Sequence, residues 1–70
     1  MLTKTFNADR LRIAREQAGL TQSELAGQAV LTRGAIASYE AGRNVPSANV
    51  LAVLAQYLAK PLEYFFVCPE

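Results

Sequence analysis

A glycine followed two residues later by a complete helix-start signal, Gly19-Leu20-Thr21-Gln22-Ser23-Glu24, does most to limit how this chain can fold. At such a capping box the Thr21 hydroxyl accepts from the Glu24 backbone amide, and the Glu24 carboxylate reaches back to the Thr21 amide. Gly19 suits the left-handed position just past the end of a preceding helix. One helix therefore stops and another starts within a few residues, and no long helix spans this region.

Similar punctuation divides the rest of the chain. Asp9 is a candidate cap for the first helix, with Leu11, Ala14 and Ala18 apolar at three- and four-residue spacing. The second helix is expected from about Gln22 to about Ala29, with Leu25 and Ala29 inward. Thr32 is the next candidate cap, for a third helix from about Arg33 to Glu40 that stops before Gly42. Ile36, Tyr39 and Ala35 form its inner side. Pro46-Ser47 marks a loop, and Ser47 can cap a fourth helix whose Val50, Leu51, Leu54, Ala55 and Leu58 make a wide apolar stripe. Pro61 disfavours helical geometry at Lys60 and suits a first helical position, so a short fifth helix is expected there. Leu62, Phe65 and Phe66 supply its apolar side. No segment reads as a strand. The expected fold class is all-α, a compact five-helix domain in which each helix depends on tertiary packing.

Seventy residues, 51% hydrophobic and 19% charged, make one domain, 1–70, rather than a disordered tail. A domain of this size buries only roughly 60% of its unfolded surface, so its stability should be modest unless it pairs with another copy. No apolar run reaches the roughly 18 residues of a membrane span, and no secretory-type leader is expected. With no histidine and the lone Cys68, neither a disulfide framework nor a metal site is expected. No group of side chains has catalytic spacing and no Gly-rich phosphate loop appears, so an enzyme, a cofactor and a small-molecule substrate are not expected. A soluble cytoplasmic protein fits these features. Net charge is only +1, a weak argument for nucleic acid. Six basic and four acidic residues lie up to Arg43, against one basic and two acidic beyond it. An ordinary mixed surface explains that asymmetry about as well.

The second and third helices are joined only by a short link, about Val30 to Leu31, and each has a cap at its start. This spacing lets two short helices cross steeply with the second projecting, the geometry in which a helix enters a major groove about 12 Å wide.

Here the sequence resembles the phage-repressor and Cro-type (XRE-like) helix-turn-helix family. The likeness lies in Arg10-Leu11-Arg12, Gly19-Leu20-Thr21-Gln22-Ser23-Glu24-Leu25-Ala26, Thr32-Arg33, Ile36, Tyr39-Glu40, Gly42 and Pro46-Ser47. It continues through Leu54-Ala55, Leu58 and Leu62-Glu63, covering about residues 9–66. The resemblance implies a repressor-like domain, bacterial or phage-encoded and nucleoid-associated, that binds double-stranded DNA with a recognition helix at 32–40. It implies base reading by Thr32, Arg33 and Gly34, and one turn later by Ala37 and Ser38. It implies phosphate contacts from Gln22, Arg43 and Asn44, and a structural ion pair between Arg15 and Glu40.

Each role has a plainer alternative. Gln22 is otherwise a solvated first-turn residue, and Arg43 a solvated loop cation. Arg33 can hydrogen-bond O6 and N7 of guanine together, or it can hold phosphate. Ser38 donates or accepts toward several bases and is therefore unselective, or it is simply an exposed small residue. Tyr39 reads as core rather than a base-stacking group. Two positions depart from the family pattern. Val30 stands where a glycine is usual, and a β-branched residue is strained in a left-handed turn, so either the turn has another geometry or the strain is tolerated. Gly34 has no side chain to read a base; it permits close backbone approach or reads nothing. With so sparse a reading face, specificity leans partly on DNA shape, with Ala37 able to touch a thymine methyl.

One short helix cannot select a genomic site alone, so a homodimer reading two half-sites about 34 Å apart is expected. Tyr57, Tyr64, Phe65, Phe66 and Val67 are the candidate interface residues. Some of them must fill the core, especially where Ala14 leaves room, and Ile13 can join the interface or cover the tail. The plainer reading makes all of them core in a monomer. The expected function is a transcriptional regulator, in the first place a repressor at a dyad-symmetric operator. The alternatives are an antitoxin or restriction-modification controller with the same fold, or a protein-interaction module that has lost DNA binding.

Overall fold

The computed structural model describes residues 5–67; Lys4 and Cys68 lie outside them, as does the side chain of Val67. The order of elements is β1 (Thr5–Phe6), α1 (Ala8–Gln17), α2 (Gln22–Ala29), α3 (Arg33–Glu40), α4 (Ala48–Leu58), one 3₁₀ turn (Leu62–Phe65) and β2 (Phe66–Val67). Among the described residues no helix is long and apolar enough to cross a membrane.

The helix starts follow from local capping. At α2 the box is complete: Thr21 Oγ1 accepts from the Glu24 amide at 3.0 Å, and the Thr21 amide donates to Glu24 Oε1 at 2.8 Å. Thr32 and Ser47 cap α3 and α4 through the amides of Ala35 and Val50. For α1 the cap is Asn7, not Asp9. Asn7 Oδ1 accepts from the Asp9 and Arg10 amides, while the Asn7 amide donates to the Phe65 carbonyl at 2.8 Å. Asp9 instead lies in the first turn, where its negative charge suits the exposed helix amides.

All four helices end in the same way. A residue in the left-handed region (Gly19, Val30, Gly42, Ala59) turns the chain back, and the amide after it donates to the carbonyl five residues earlier. Those bonds run from Leu20 to Arg15, Leu31 to Ala26, Arg43 to Ser38 and Lys60 to Ala55, at 2.8–3.2 Å. Val30, at φ 57° and ψ 46°, thus keeps the left-handed geometry and carries its strain.

Side chains from every helix meet in one core. Leu11, Leu25, Ile36, Leu51, Leu54 and Phe65 are fully buried, with Ala14, Ala26, Ala55 and Leu58 between them. Burying each large side chain is worth about 1.5–3 kcal/mol, which outweighs the poor intrinsic stability of helices this short. Ala29, Tyr39 and Val50 pack on the edge of this core.

The chain end differs from a fifth α-helix. It makes one 3₁₀ turn after Pro61 and then extends, because Phe66 pairs antiparallel with Phe6. Their rings meet edge-on, centroids 6.5 Å apart. This two-stranded clip was not expected from the sequence. Leu62 is largely exposed rather than inward, while Phe65 fills the core.

Candidate nucleic-acid interface

α2 and α3 form the helical pair, joined by Val30, Leu31 and Thr32. Val30 points away from the protein, 90% exposed. The left-handed turn sends the chain off the end of α2, and Leu31 packs back against the core. The first turn of α3 then projects: Thr32, Arg33 and Gly34 are exposed, whereas Ile36 is buried and Ala37 through Glu40 are half-buried. The projecting end of α3 is therefore its N-terminus, where unpaired backbone amides also face outward.

A charged network holds the other end of α3. Arg15 Nε and Nη2 donate to Glu40 Oε2 and Oε1 at 2.7 and 3.1 Å. Arg15 Nη1 donates to the Leu20 carbonyl at 2.8 Å, and Gln22 Nε2 donates to Glu40 Oε1 at 3.1 Å. One carboxylate thus joins α1, the start of α2 and the end of α3. The hydrogen bond to Glu40 raises the Arg15 pKa, with burial opposing and the charges of Glu40 and Glu16 adding to it. The guanidinium stays charged. Gln22 is held by one amide hydrogen, which leaves its second amide hydrogen and its oxygen for another partner.

Beyond α3, the turn at Gly42 brings Arg43 and Asn44 back beside the last helical turn, and Asn44 Nδ2 donates to Ser38 Oγ at 2.6 Å. Among the described residues the guanidinium groups of Arg33 and Arg43 have no hydrogen-bond or ion-pair partner, whereas Arg10, Arg12 and Arg15 are engaged. The Thr32 hydroxyl already accepts from the Ala35 amide and keeps its own proton to donate. Gly34 has room beside it: an added Cβ would lie 3.9 Å from Thr32 Oγ1, its nearest neighbour. Nothing among the described residues thus requires a glycine there.

The C-terminal aromatic residues divide. Phe65 is 0% exposed within its own chain and leaves the set of interface candidates. Tyr64 is half-buried, with the Arg10 guanidinium 4.8 Å and the Lys60 ammonium 4.9 Å from its ring centre. Phe66 is half-buried against Phe6. Ile13 is half-buried on α1. Tyr57 is 49% exposed, and Val53, one turn before it on α4, is also exposed. Leu62 is exposed as well. Sequence reasoning passed over Val53, although its four-residue spacing from Tyr57 placed both outside the buried stripe.

A family model described as helix-turn-helix matches residues 11–65. Among solved structures, the restriction-modification controller protein C.AhdI from Aeromonas hydrophila is 30% identical, with a TM-score of 0.79, covering 84% of this chain and 89% of that one. The P22 c2 repressor, solved with a synthetic operator, is 21% identical with a TM-score of 0.81, covering 87% and 92%. A hypothetical transcription factor, NHTF, from Neisseria is 26% identical with a TM-score of 0.80, covering 89% and 71%. No curated protein sequence matches the chain.

Proposed function

We propose, from the premise that this chain belongs to the helix-turn-helix family, that it is a DNA-binding transcriptional regulator acting as a repressor at a dyad-symmetric operator. The observation that carries this reading is the projecting first turn of α3, with Arg33 on it and Arg43 just past the helix end, two arginines whose charges nothing in the described chain neutralises. A helix end presented in this way fits the major groove. In this reading Arg33 forks onto guanine, Thr32 donates to a base, the bare backbone at Gly34 approaches the groove closely, Ala37 meets a thymine methyl and Ser38 completes the reading face. Gln22, set by Glu40 at the start of α2, contacts phosphate from one side, and Arg43 and Asn44 contact it from the other.

The protein acts as a homodimer in the cytoplasm. Two copies related by a two-fold axis read half-sites about 34 Å apart, which supplies the selectivity that one sparse helix lacks. Tyr57, with Val53 on the same helix, offers exposed apolar surface for that contact, and Leu62 is exposed as well. Tyr64 and Phe66, both half-buried, extend it; the side chain of Val67, also a candidate, lies outside the described residues.

Selecting bound sites from a pool of random duplexes tests the reading. The expected result is a palindromic motif, with affinity that falls steeply as salt rises from about 50 to 200 mM through counterion release. No enrichment, or salt-independent binding, favours a protein-interaction module instead. Sedimentation at micromolar concentration tests the dimer, and a strict monomer removes the α4 interface. The 30% identity to C.AhdI favours a second reading, control of a restriction-modification system. Its test is whether the selected motif occurs upstream of restriction or modification genes.

A further inference from the structure

An isolated serine hydroxyl is a poor reader of bases, because it donates to an acceptor edge and accepts from an amino edge equally well. Ser38 is not isolated. The turn at Gly42 and the bond from the Arg43 amide to the Ser38 carbonyl fold the chain back onto the last turn of α3. Asn44 then reaches across six residues and donates from Nδ2 to Ser38 Oγ at 2.6 Å. A hydroxyl that accepts so short a bond keeps its own proton on the far side, directed away from the amide.

The geometry points to Asn44 as a positioning residue that turns Ser38 into a hydrogen-bond donor and so makes its position in the DNA selective. The inference rests on the reading of α3 as the helix in the major groove. A donor hydroxyl pairs with guanine, through N7 or O6, with adenine, through N7, or with thymine, through O4. It faces the N4 amino group of cytosine donor to donor, and that base is disfavoured. Asn44 acts here through Ser38, and its second amide hydrogen remains for phosphate. Of the side chains on the reading face, Ser38 is the one whose polarity is set from outside its helix.

The test is base preference, not affinity. Wild-type protein and the variants Ser38→Ala, Asn44→Ala and Asn44→Asp are compared by duplex selection and by competition among duplexes that differ at one base pair. Thermal unfolding of each variant shows that it is folded. Ser38→Ala identifies the position, as the one whose preference it abolishes. There the wild type favours guanine or thymine over cytosine roughly three- to tenfold, the range of one net hydrogen bond. Asn44→Ala frees the hydroxyl to rotate and levels that preference. Asn44→Asp can only accept, so it takes the hydroxyl proton, exposes the lone pairs of Oγ and shifts the preference toward cytosine. The added negative charge weakens binding to every duplex alike and leaves the ratio as the readout. An unchanged ratio in Asn44→Asp, or no position altered by Ser38→Ala, overturns the inference while DNA binding stands. A wild type that selects no duplex removes the DNA-binding reading and this inference with it.

Discussion

Arg15 and Glu40, 25 residues apart, are locked in a two-point fork in which Nε lies 2.7 Å from one carboxylate oxygen and Nη2 3.1 Å from the other. Their side chains are 12% and 5% exposed, so the pair is nearly cut off from water. Two such charges are costly to desolvate. The pair persists because the fork, the Leu20 carbonyl and the Gln22 amide together satisfy the donors and the carboxylate. Its consequence is positional: it fixes the base of the projecting helix against two others.

Removing one partner should therefore be severe. Arg15→Ala leaves the Glu40 carboxylate without its counter-charge, held only by the Gln22 amide, and is expected to cost about 3–5 kcal/mol, a large share of the stability of a domain this small. Arg15→Lys keeps the charge but not the fork and costs less. Replacing both residues with apolar ones of similar volume recovers most of the loss. Urea unfolding measures all three. The Arg15 pKa is raised in the folded state, so its contribution is complete below the unfolded value and fades only as pH rises through the folded one, far into alkali. The deficit of Arg15→Ala should thus be the same at pH 7 and pH 9.

Val30 marks a place where the chain is strained without compensation. Its side chain is exposed, so removing it forfeits almost no burial, while the left-handed backbone penalises its branched Cβ. Val30→Gly should stabilise the domain by about 1 kcal/mol, after the greater entropy of glycine in the unfolded chain is counted. The melting temperature should then rise by about 4–8 °C. A fall would mean that Val30 makes contacts that outweigh its strain.

Most of the fold was legible because its signals are local. Thr21, Thr32 and Ser47 each cap from within one turn, and α2 and α3 run as the caps and periodicity predict. The failures share a long-range cause. The clip of Thr5–Phe6 on Phe66–Val67 joins the two ends of the chain through strands too short to show alternation. The same pairing accompanies the cap at Asn7 in place of Asp9, since the Asn7 amide bonds to the Phe65 carbonyl, and it replaces a fifth helix with a single turn. In the site, Arg33 and Arg43 stand out by residue type. The bonds from Gln22 to Glu40 and from Asn44 to Ser38 depend on side-chain directions that spacing alone does not define.

Gly34 separates stability from binding. It lies within a helix with open space beside it, so Gly34→Ala should stabilise the fold by about 0.5–1 kcal/mol. If the bare backbone lies against the groove, the same methyl holds α3 away from DNA and weakens binding several-fold. Thermal unfolding and titration with the selected duplex, run on one preparation, measure both. A variant that is more stable and binds as well shows that Gly34 makes no close approach.

The two arginines without partners among the described residues should fail in different ways when truncated. Arg33 sits on the first turn of α3, and Arg43 lies past the helix end; in the proposed reading the first meets a base and the second a phosphate. Arg33→Ala should cost about 1–3 kcal/mol on the best duplex and relax preference at one base pair, with little loss on unrelated DNA. Arg43→Ala should weaken binding to every duplex alike and lower the slope of log affinity against log salt by about 1, because one phosphate contact and its released counterion are lost. Binding isotherms at three salt concentrations, on the selected duplex and on a scrambled one, distinguish the two patterns. Uniform weakening by Arg33→Ala would place that side chain on phosphate, leaving base selection to Thr32, Ser38 and the shape of the groove.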